Sequence, residues 1–306
     1  MDVHHTPVMV EEVLTALQVK SDGLYIDCTT GEGGHALSIL KAVSPPPRLI
    51  GFDLDADALK AASSRLKEFE QYVELVQGNY ADMTSVVNAL GIDHVDGVLM
   101  DLGISSLQLN EGHRGFSFQQ EAPLDMRFDE GQTVTAADVV NEYSEQDLAN
   151  AIYKYGEERG SRRIARGIVY ARPLGTTTQL ADVVARSVGR PRGRIHPATK
   201  TFQAIRMVVN GELENVEAGL EQGIQLLEQG GRLAIISYHS LEDRLVKTTF
   251  RTESRDCICP PETPKCVCGH TASIRLVNRR VIKPKDEEVA ANPRSRSARL
   301  RVVERT

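Results

Sequence analysis

The chain has 306 residues, 41% of them hydrophobic and 25% charged, with a formal net charge of −6. That balance is ordinary for a globular protein of one large domain or two modest ones. No apolar run approaches the ~18 residues that a bilayer-spanning helix needs, and Met-Asp-Val-His-His-Thr-Pro-Val at the start lacks a basic region leading into an apolar core. No membrane partner and no secretion signal are expected, and the expected location is cytoplasmic.

The net charge by itself argues against a nucleic-acid partner, but its distribution argues for one. Arg159, Arg162, Arg163, Arg166, Arg172, Arg186, Arg190, Arg192, Arg194, Lys200 and Arg206 fall in a span where Asp182 is the one acid. A second basic stretch runs from Arg275 through Arg279, Arg280, Lys283, Lys285, Arg294, Arg296, Arg299 and Arg301. An acidic body with two basic segments predicts a local surface for a polyanion; the plain alternative is a solvated arginine-rich helix.

In chain order, the first 22 residues predict one helix with Val8, Val10, Val13, Leu14 and Leu17 on its apolar face. Leu24-Tyr-Ile-Asp-Cys28 reads as a buried strand, Thr29-Thr-Gly-Glu-Gly-Gly34 as a turn, and His35 to Ala42 as a helix. Strand, glycine turn, helix is the arrangement that lets a ligand approach bare backbone. A second strand, Arg48–Asp53, ends on an acid about 20 residues beyond the glycines, the spacing of a carboxylate that holds ribose hydroxyls. The turn is not G-x-G-x-x-G, and Glu32 stands where a pyrophosphate would sit. A phosphate-free adenosine ligand such as S-adenosylmethionine fits better than a nicotinamide dinucleotide, although the dinucleotide and a ligand-free turn both stay open.

Helical propensity continues from Ala56 to Phe69, a strand from Tyr72 to Val76, a helix from Met83 to Leu90 and a strand from Val95 to Asp101. The alternation predicts a mostly parallel sheet, with Asp27, Gly31, Asp53, Tyr80 and Asp101 converging on its ligand-binding edge. It then stops. Asp147–Val169, Thr178–Val188, Thr199–Val209 and Glu212–Leu227 read as helices before strand character returns at Gly231–Tyr238. A helical insertion within a sheet domain is the simplest account, with Ala272–Val277 and Ala298–Val303 as closing strands. The expected division is residues 1–103 with 216–306 for the sheet domain and 104–215 for the insertion, which carries the first basic segment.

Asp101-Leu-Gly-Ile-Ser-Ser106 follows the fourth strand, where a methyl acceptor would face the donor. Methyl transfer is chiefly a positioning problem. An aromatic amine acceptor, such as the exocyclic N4 of cytosine, is a weak nucleophile whose N–H needs an acceptor, and Asp101, Ser105 and Ser106 offer a carboxylate and hydroxyls. Asp101 holding only the cofactor, with the serines shaping a turn, is the plain alternative. His239, after the fifth strand, is a second candidate for the proton, against the commoner structural role of a lone histidine. Carbon-5 methylation would need a cysteine nucleophile at one of these exits, and neither has one; Cys28 reads as a small core residue.

Cys257-Ile-Cys259 and Cys266-Val-Cys268 bring four sulfurs close in sequence, with His270 nearby. Four thiols suggest zinc, but C-x-C departs from the usual C-x-x-C spacing. Free thiols or a disulfide are the alternatives, and no metal ligand is assigned.

Taken together, His5-Thr-Pro-Val-Met9, Gly31–His35, Asp101–Ser106, Arg114–Phe118, Pro123–Arg127, His196–Phe202, Ser237–Arg244 and Asn292–Ser297 resemble one family over nearly the whole chain. It is the bacterial ribosomal small-subunit RNA (cytosine-N4)-methyltransferase family, also called MraW. The resemblance implies an α/β, Rossmann-like class I methyltransferase with an inserted all-helical domain that recognises RNA. It implies S-adenosyl-L-methionine as donor and a cytosine in the decoding region of 16S ribosomal RNA as acceptor. It places cofactor contacts on Gly33, Gly34, His35, Asp53, Tyr80, Asp101 and Gln108. Catalytic roles are expected for Asp101, Ser105 and His239. Leu107 stands where the family usually has proline, which loosens the loop bearing Gln108, and Glu32 stands where glycine is common. Expected partners are small-subunit ribosomal RNA or the assembled subunit, with a homodimer left open. The rivals are a methyltransferase for a protein or small molecule and a non-catalytic ribosome-binding factor.

Overall fold

The computed structural model describes residues 7–104, 112–189 and 196–306. Ser105, Ser106 and Gln108, and likewise Arg190, Arg192 and Arg194, lie outside the described residues. The chain forms two compact units, Met1–Gly103 with Leu213–Thr306, and Ile104–Glu212.

The first unit runs α1 (Val10–Leu17), β1 (Leu24–Asp27), α2 (Gly34–Lys41), β2 (Arg48–Asp53), α3 (Ala56–Arg65), β3 (Val73–Gln77), α4 (Met83–Ala89) and β4 (Val95–Asp101). The second holds α5 (Ala136–Glu142), α6 (Glu145–Gly156), α7 (Ser161–Tyr170), α8 (Thr177–Val188) and α9 (Thr199–Asn210). The first then resumes with α10 (Glu212–Leu226), β5 (Leu227–Ser237), α11 (Ser240–Glu253), β6 (Ile274–Leu276), α12 (Asp286–Ala291) and β7 (Arg299–Arg305).

Its strands form a seven-stranded sheet in the order β3-β2-β1-β4-β5-β7-β6. The first five pair in parallel, and β7 runs antiparallel to both neighbours. This is the Rossmann-like architecture expected. Strand residues alternate between two buried faces. Ile26, Cys28, Ile50, Phe52, Val98, Met100, Leu233 and Ile235 pack with Met83, Val87, Val216, Leu220, Val246 and Phe250. Tyr25, Leu49, Leu99, Ala234 and Ile236 pack on the other face with Val13, Leu17, Ile39, Leu40, Ala62 and Leu66. A sheet covered on both faces is why these strands read as near-continuous apolar runs. The order reverses between β1 and β4, and ligands of such sheets bind at that switch, at the strands' carboxyl ends.

The second unit has its own core, including Leu148, Ile152, Ile164, Ile168, Leu180, Val184, Phe202 and Ile205. The single helix expected over Asp147–Val169 is two. Helix α6 ends at Gly156, whose added Cβ would sit 2.6 Å from the Lys200 carbonyl oxygen, and Glu157 turns the chain with φ 47°. Apolar spacing on both helices faces the same core, so periodicity alone could not show the break. Helix α8 starts at a capping box in which Thr176 accepts from the Gln179 amide and Gln179 from the Thr176 amide.

Candidate active site

Every acid expected at the rim sits there, and the backbone explains how. The Asp53 carboxylate accepts from the Gly31 amide through Oδ2 at 2.7 Å and from the Asp55 amide through Oδ1 at 2.9 Å. The end of β2 is thereby tied to the glycine turn after β1. Asp53 is half-buried, and desolvation pushes its carboxyl up to about 6 despite those amides.

The three glycines of the turn do different work. Gly31 has φ 51° and only the Thr29 carbonyl oxygen within 4 Å of an added Cβ, at 3.9 Å, so its outer side is open. Gly33, at φ 77°, packs on Ala62 of α3 and on Leu66 just beyond it, and an added Cβ on Gly34 would lie 2.8 Å from Pro7 Cγ. Gly33 and Gly34 are therefore required by packing, whatever they contact besides.

Asp101, at the end of β4, is held on three sides. Its amide donates to Thr29 Oγ1 at 2.7 Å, Tyr238 Oη donates to its Oδ1 at 2.8 Å, and His35 Nε2 lies 3.3 Å from its Oδ2. The His35 ring is buried in the first turn of α2. Burial works against its charge, but Asp101, Asp27 and Glu288 outweigh that and raise its pKa above the usual value. Beneath them Asp27 is wholly buried. Its Oδ1 accepts from the Thr29 amide at 3.1 Å, while Oδ2 has no hydrogen-bond partner among the described residues. Desolvation carries that carboxyl up to about 6. A buried, half-satisfied carboxylate keeps the rim electronegative, which suits a cationic ligand and repels a phosphate. Tyr80 begins the turn after β3, and its ring packs on α10 at Gly219. An added Cβ on Gly219 would come within 2.7 Å of its ring.

His239 is occupied elsewhere. It is the N-cap of α11: its Nδ1 accepts from the Glu242 amide at 3.3 Å, and its Nε2 lies 3.0 Å from Glu242 Oε1. The residue of this loop that reaches Asp101 is Tyr238, which the sequence reading passed over. Its strand register signalled it: Ser237, the last residue of β5, pairs with Arg299, so the next residue emerges at the rim.

Other motif residues are structural. Arg114 donates to the Arg127 and Phe128 carbonyls, Asp125 pairs with Arg127, and Asn210 bonds Met126 and Phe128. Phe118 and Phe202 meet edge to face at 5.0 Å, and Phe116 stacks on Phe128 at 5.6 Å, so these rings belong to the core. Two of the counted basic side chains also leave the polyanion surface. Arg206 is buried against Glu212 at 2.6 and 2.8 Å, and Arg172 bonds the Val140 and Tyr143 carbonyls. In the C-terminal stretch Arg299 and Arg301 both grip Asp243. Among the described residues, Arg159, Arg162, Arg163, Arg166, Arg186 and Lys200 of the first segment stay exposed, as do Arg275, Arg279, Arg280, Lys283, Lys285, Arg294 and Arg296 of the second; Tyr170 on α7 is 93% exposed.

The family model described as the MraW methylase family matches residues 2–306. The chain belongs to that family. Among curated relatives, the "Ribosomal RNA small subunit methyltransferase H" of Dehalococcoides mccartyi is 53% identical, over 98% of this chain and 86% of its own. The protein of the same name from Symbiobacterium thermophilum is 49% identical over 99% and 97%. That from Geotalea uraniireducens is 48% identical over 99% of both. As a MraW methylase the chain is a methyltransferase with S-adenosylmethionine as its donor, and the open Gly31, the half-buried Asp53 and the orphaned oxygen of Asp27 fit that group. No helix among its described residues is long and apolar enough to cross a membrane.

Proposed function

We propose that the chain methylates the exocyclic N4 amine of a cytosine in the decoding region of 16S ribosomal RNA. The observation that carries this reading is the Asp53–Gly31 and Asp101–Tyr238 pair of contacts on one sheet rim, in a chain about half identical to small-subunit RNA methyltransferases. When bound, S-adenosylmethionine supplies an electrophilic methyl group on a sulfonium. Asp53, oriented by the Gly31 amide, has lone pairs left for ribose hydroxyls. Tyr80 offers a face for the adenine, and Gly33, Gly34 and His35 line the approach. Asp27 and Asp101 supply negative potential for the sulfonium and amino groups.

Asp101 also accepts an N–H of the incoming amine. The Tyr238 hydroxyl fixes one of its oxygens and His35 stands 3.3 Å from the other, so the carboxylate is pre-set rather than recruited. Ser105 and Gln108 complete the acceptor loop and the cofactor contacts. His239 acts through Glu242, shaping the loop that presents Tyr238.

The helical unit, Ile104–Glu212, holds the RNA. Exposed Arg162, Arg163, Arg166 and Tyr170 on α7 combine phosphate charge with a stacking face. The target base leaves its stack to meet the donor. The protein works in the cytoplasm, on the assembled subunit or its RNA. The test is incubation with methyl-labelled donor and small subunits, then nucleoside mass analysis. Label in N4-methylated cytidine is expected; label in 5-methylcytidine, in ribose or in protein overturns the reading.

A further inference from the structure

Between α11 and β6 the chain runs from Arg255 to Ala272 without a helix or strand, and none of these residues is buried. Val267 is 82% and Ile258 46% exposed. No apolar core offsets the entropy of ordering such a loop. Yet the Sγ atoms of Cys257, Cys259, Cys266 and Cys268 all lie within 4.8 Å of one another. Cys266 and Cys268 are 3.6 Å apart, and Cys268 and Cys257 3.8 Å. Four sulfurs around a tetrahedral zinc, each about 2.3 Å from it, are separated by about 3.8 Å.

The two C-x-C segments are related by a pseudo-twofold. The Ile258 amide donates to Cys268 Sγ and the Val267 amide to Cys259 Sγ, both at 3.5 Å. Each middle residue thus serves the second cysteine of the other segment. Sulfur is a weak acceptor as a thiol, and amides aimed at it offset the charge of a thiolate. The short C-x-C spacing is compensated by this crossing of two turns. His270 stands outside the cluster: its Nε2 lies 3.7 Å from Glu253 Oε1, and its Nδ1 donates to the Arg255 carbonyl at 2.8 Å, which closes the mouth of the loop. The Ala272 amide, donating to Asp256 Oδ1 at 3.2 Å, closes it further.

We infer that Cys257, Cys259, Cys266 and Cys268 form a structural zinc site that organises the loop between α11 and β6. Four thiolates leave no open position, so the ion orders the chain and takes no part in methyl transfer. Binding releases protons from the thiols and changes no oxidation state.

The full chain, purified without chelators under reducing conditions, is assayed for metals by mass spectrometry. About one zinc per chain is expected, falling to background in the double variant Cys266→Ser/Cys268→Ser. Stepwise modification of the wild-type thiols should release that zinc as the cluster is consumed, a readout that stands if the variant fails to fold. Cobalt added to the metal-free chain should give the strong thiolate charge-transfer and ligand-field bands of a tetrahedral four-sulfur site. Zinc below about a tenth of an equivalent with no such cobalt spectrum overturns the site, as does a mass showing two disulfides in the freshly isolated protein. Iron in place of zinc overturns the identity of the ion.

Discussion

The hydroxyl of Tyr238 donates to Asp101 Oδ1 at 2.8 Å, joining the loop after β5 to the end of β4 across the sheet rim. Burial and the neighbouring Asp101 push the tyrosine pKa far above its ordinary value, so it acts as a fixed donor and not as a base. Tyr238→Phe keeps the ring that packs beside Gly103 and removes only the donor. The expected outcome is an unchanged fold and a fall in kcat of roughly 10- to 100-fold, the loss of one hydrogen bond to a charged group. Single-turnover kinetics with saturating donor would check it, and a wild-type rate would remove Tyr238 from the account.

Asp27 and Asp53 predict two pH dependences of opposite sign. Both carboxyls are raised to about 6 from 3.8, chiefly by burial. The folded chain therefore binds more protons than the unfolded one between those values, and stability contributed by these groups falls as pH rises through that window. Asp27→Asn removes one such group. Relative to wild type the variant should gain stability as pH rises from about 4 to 6, by roughly 3 kcal/mol at most. Urea unfolding across that range reads the difference.

Donor affinity should run the other way. The ionised Asp53 is the ribose acceptor, so binding should be constant above its folded value of about 6. Below it, affinity should weaken by up to tenfold per pH unit. Calorimetric titrations at a series of pH values would show the bend, and a flat profile would count against Asp53.

On the RNA side, replacing Arg162, Arg163 and Arg166 together by alanine should raise KM for the RNA substrate about tenfold. It should flatten the salt dependence of binding by about two to three counterions. Tyr170→Ala should weaken binding about fivefold or more at every salt concentration, because stacking does not depend on counterions. Donor affinity should not move in either variant. Filter binding across a salt series distinguishes these outcomes, and salt-indifferent activity would point to a small-molecule or protein substrate.

How much of this was legible in the sequence depends on what each signal encodes. The strands β1, β2 and β4 could be read to within a residue or two because burial on both faces makes apolar runs and the rim puts an acid at each end. Helix α11 escaped because its start is capped by His239 and Glu242, not by a serine, threonine or asparagine signal. The glycine turn suggested bare backbone for a ligand, but Gly33 and Gly34 are fixed by α3 and Pro7, contacts no local pattern carries. The arginine count overstated the basic surface, since Arg206 and Arg172 satisfy buried partners that only the fold brings near. The partnership of His35 and Tyr238 with Asp101 joins three distant segments and has no linear signature.

The placement of the donor on this rim is tested most directly by calorimetric binding of S-adenosylmethionine to the wild-type chain and to Asp53→Ala. Loss of a charge-assisted hydrogen bond that strands its partner should weaken binding by roughly 1–3 kcal/mol, or about 5- to 150-fold, with the fold retained. Equal affinities for the two proteins would contradict the account.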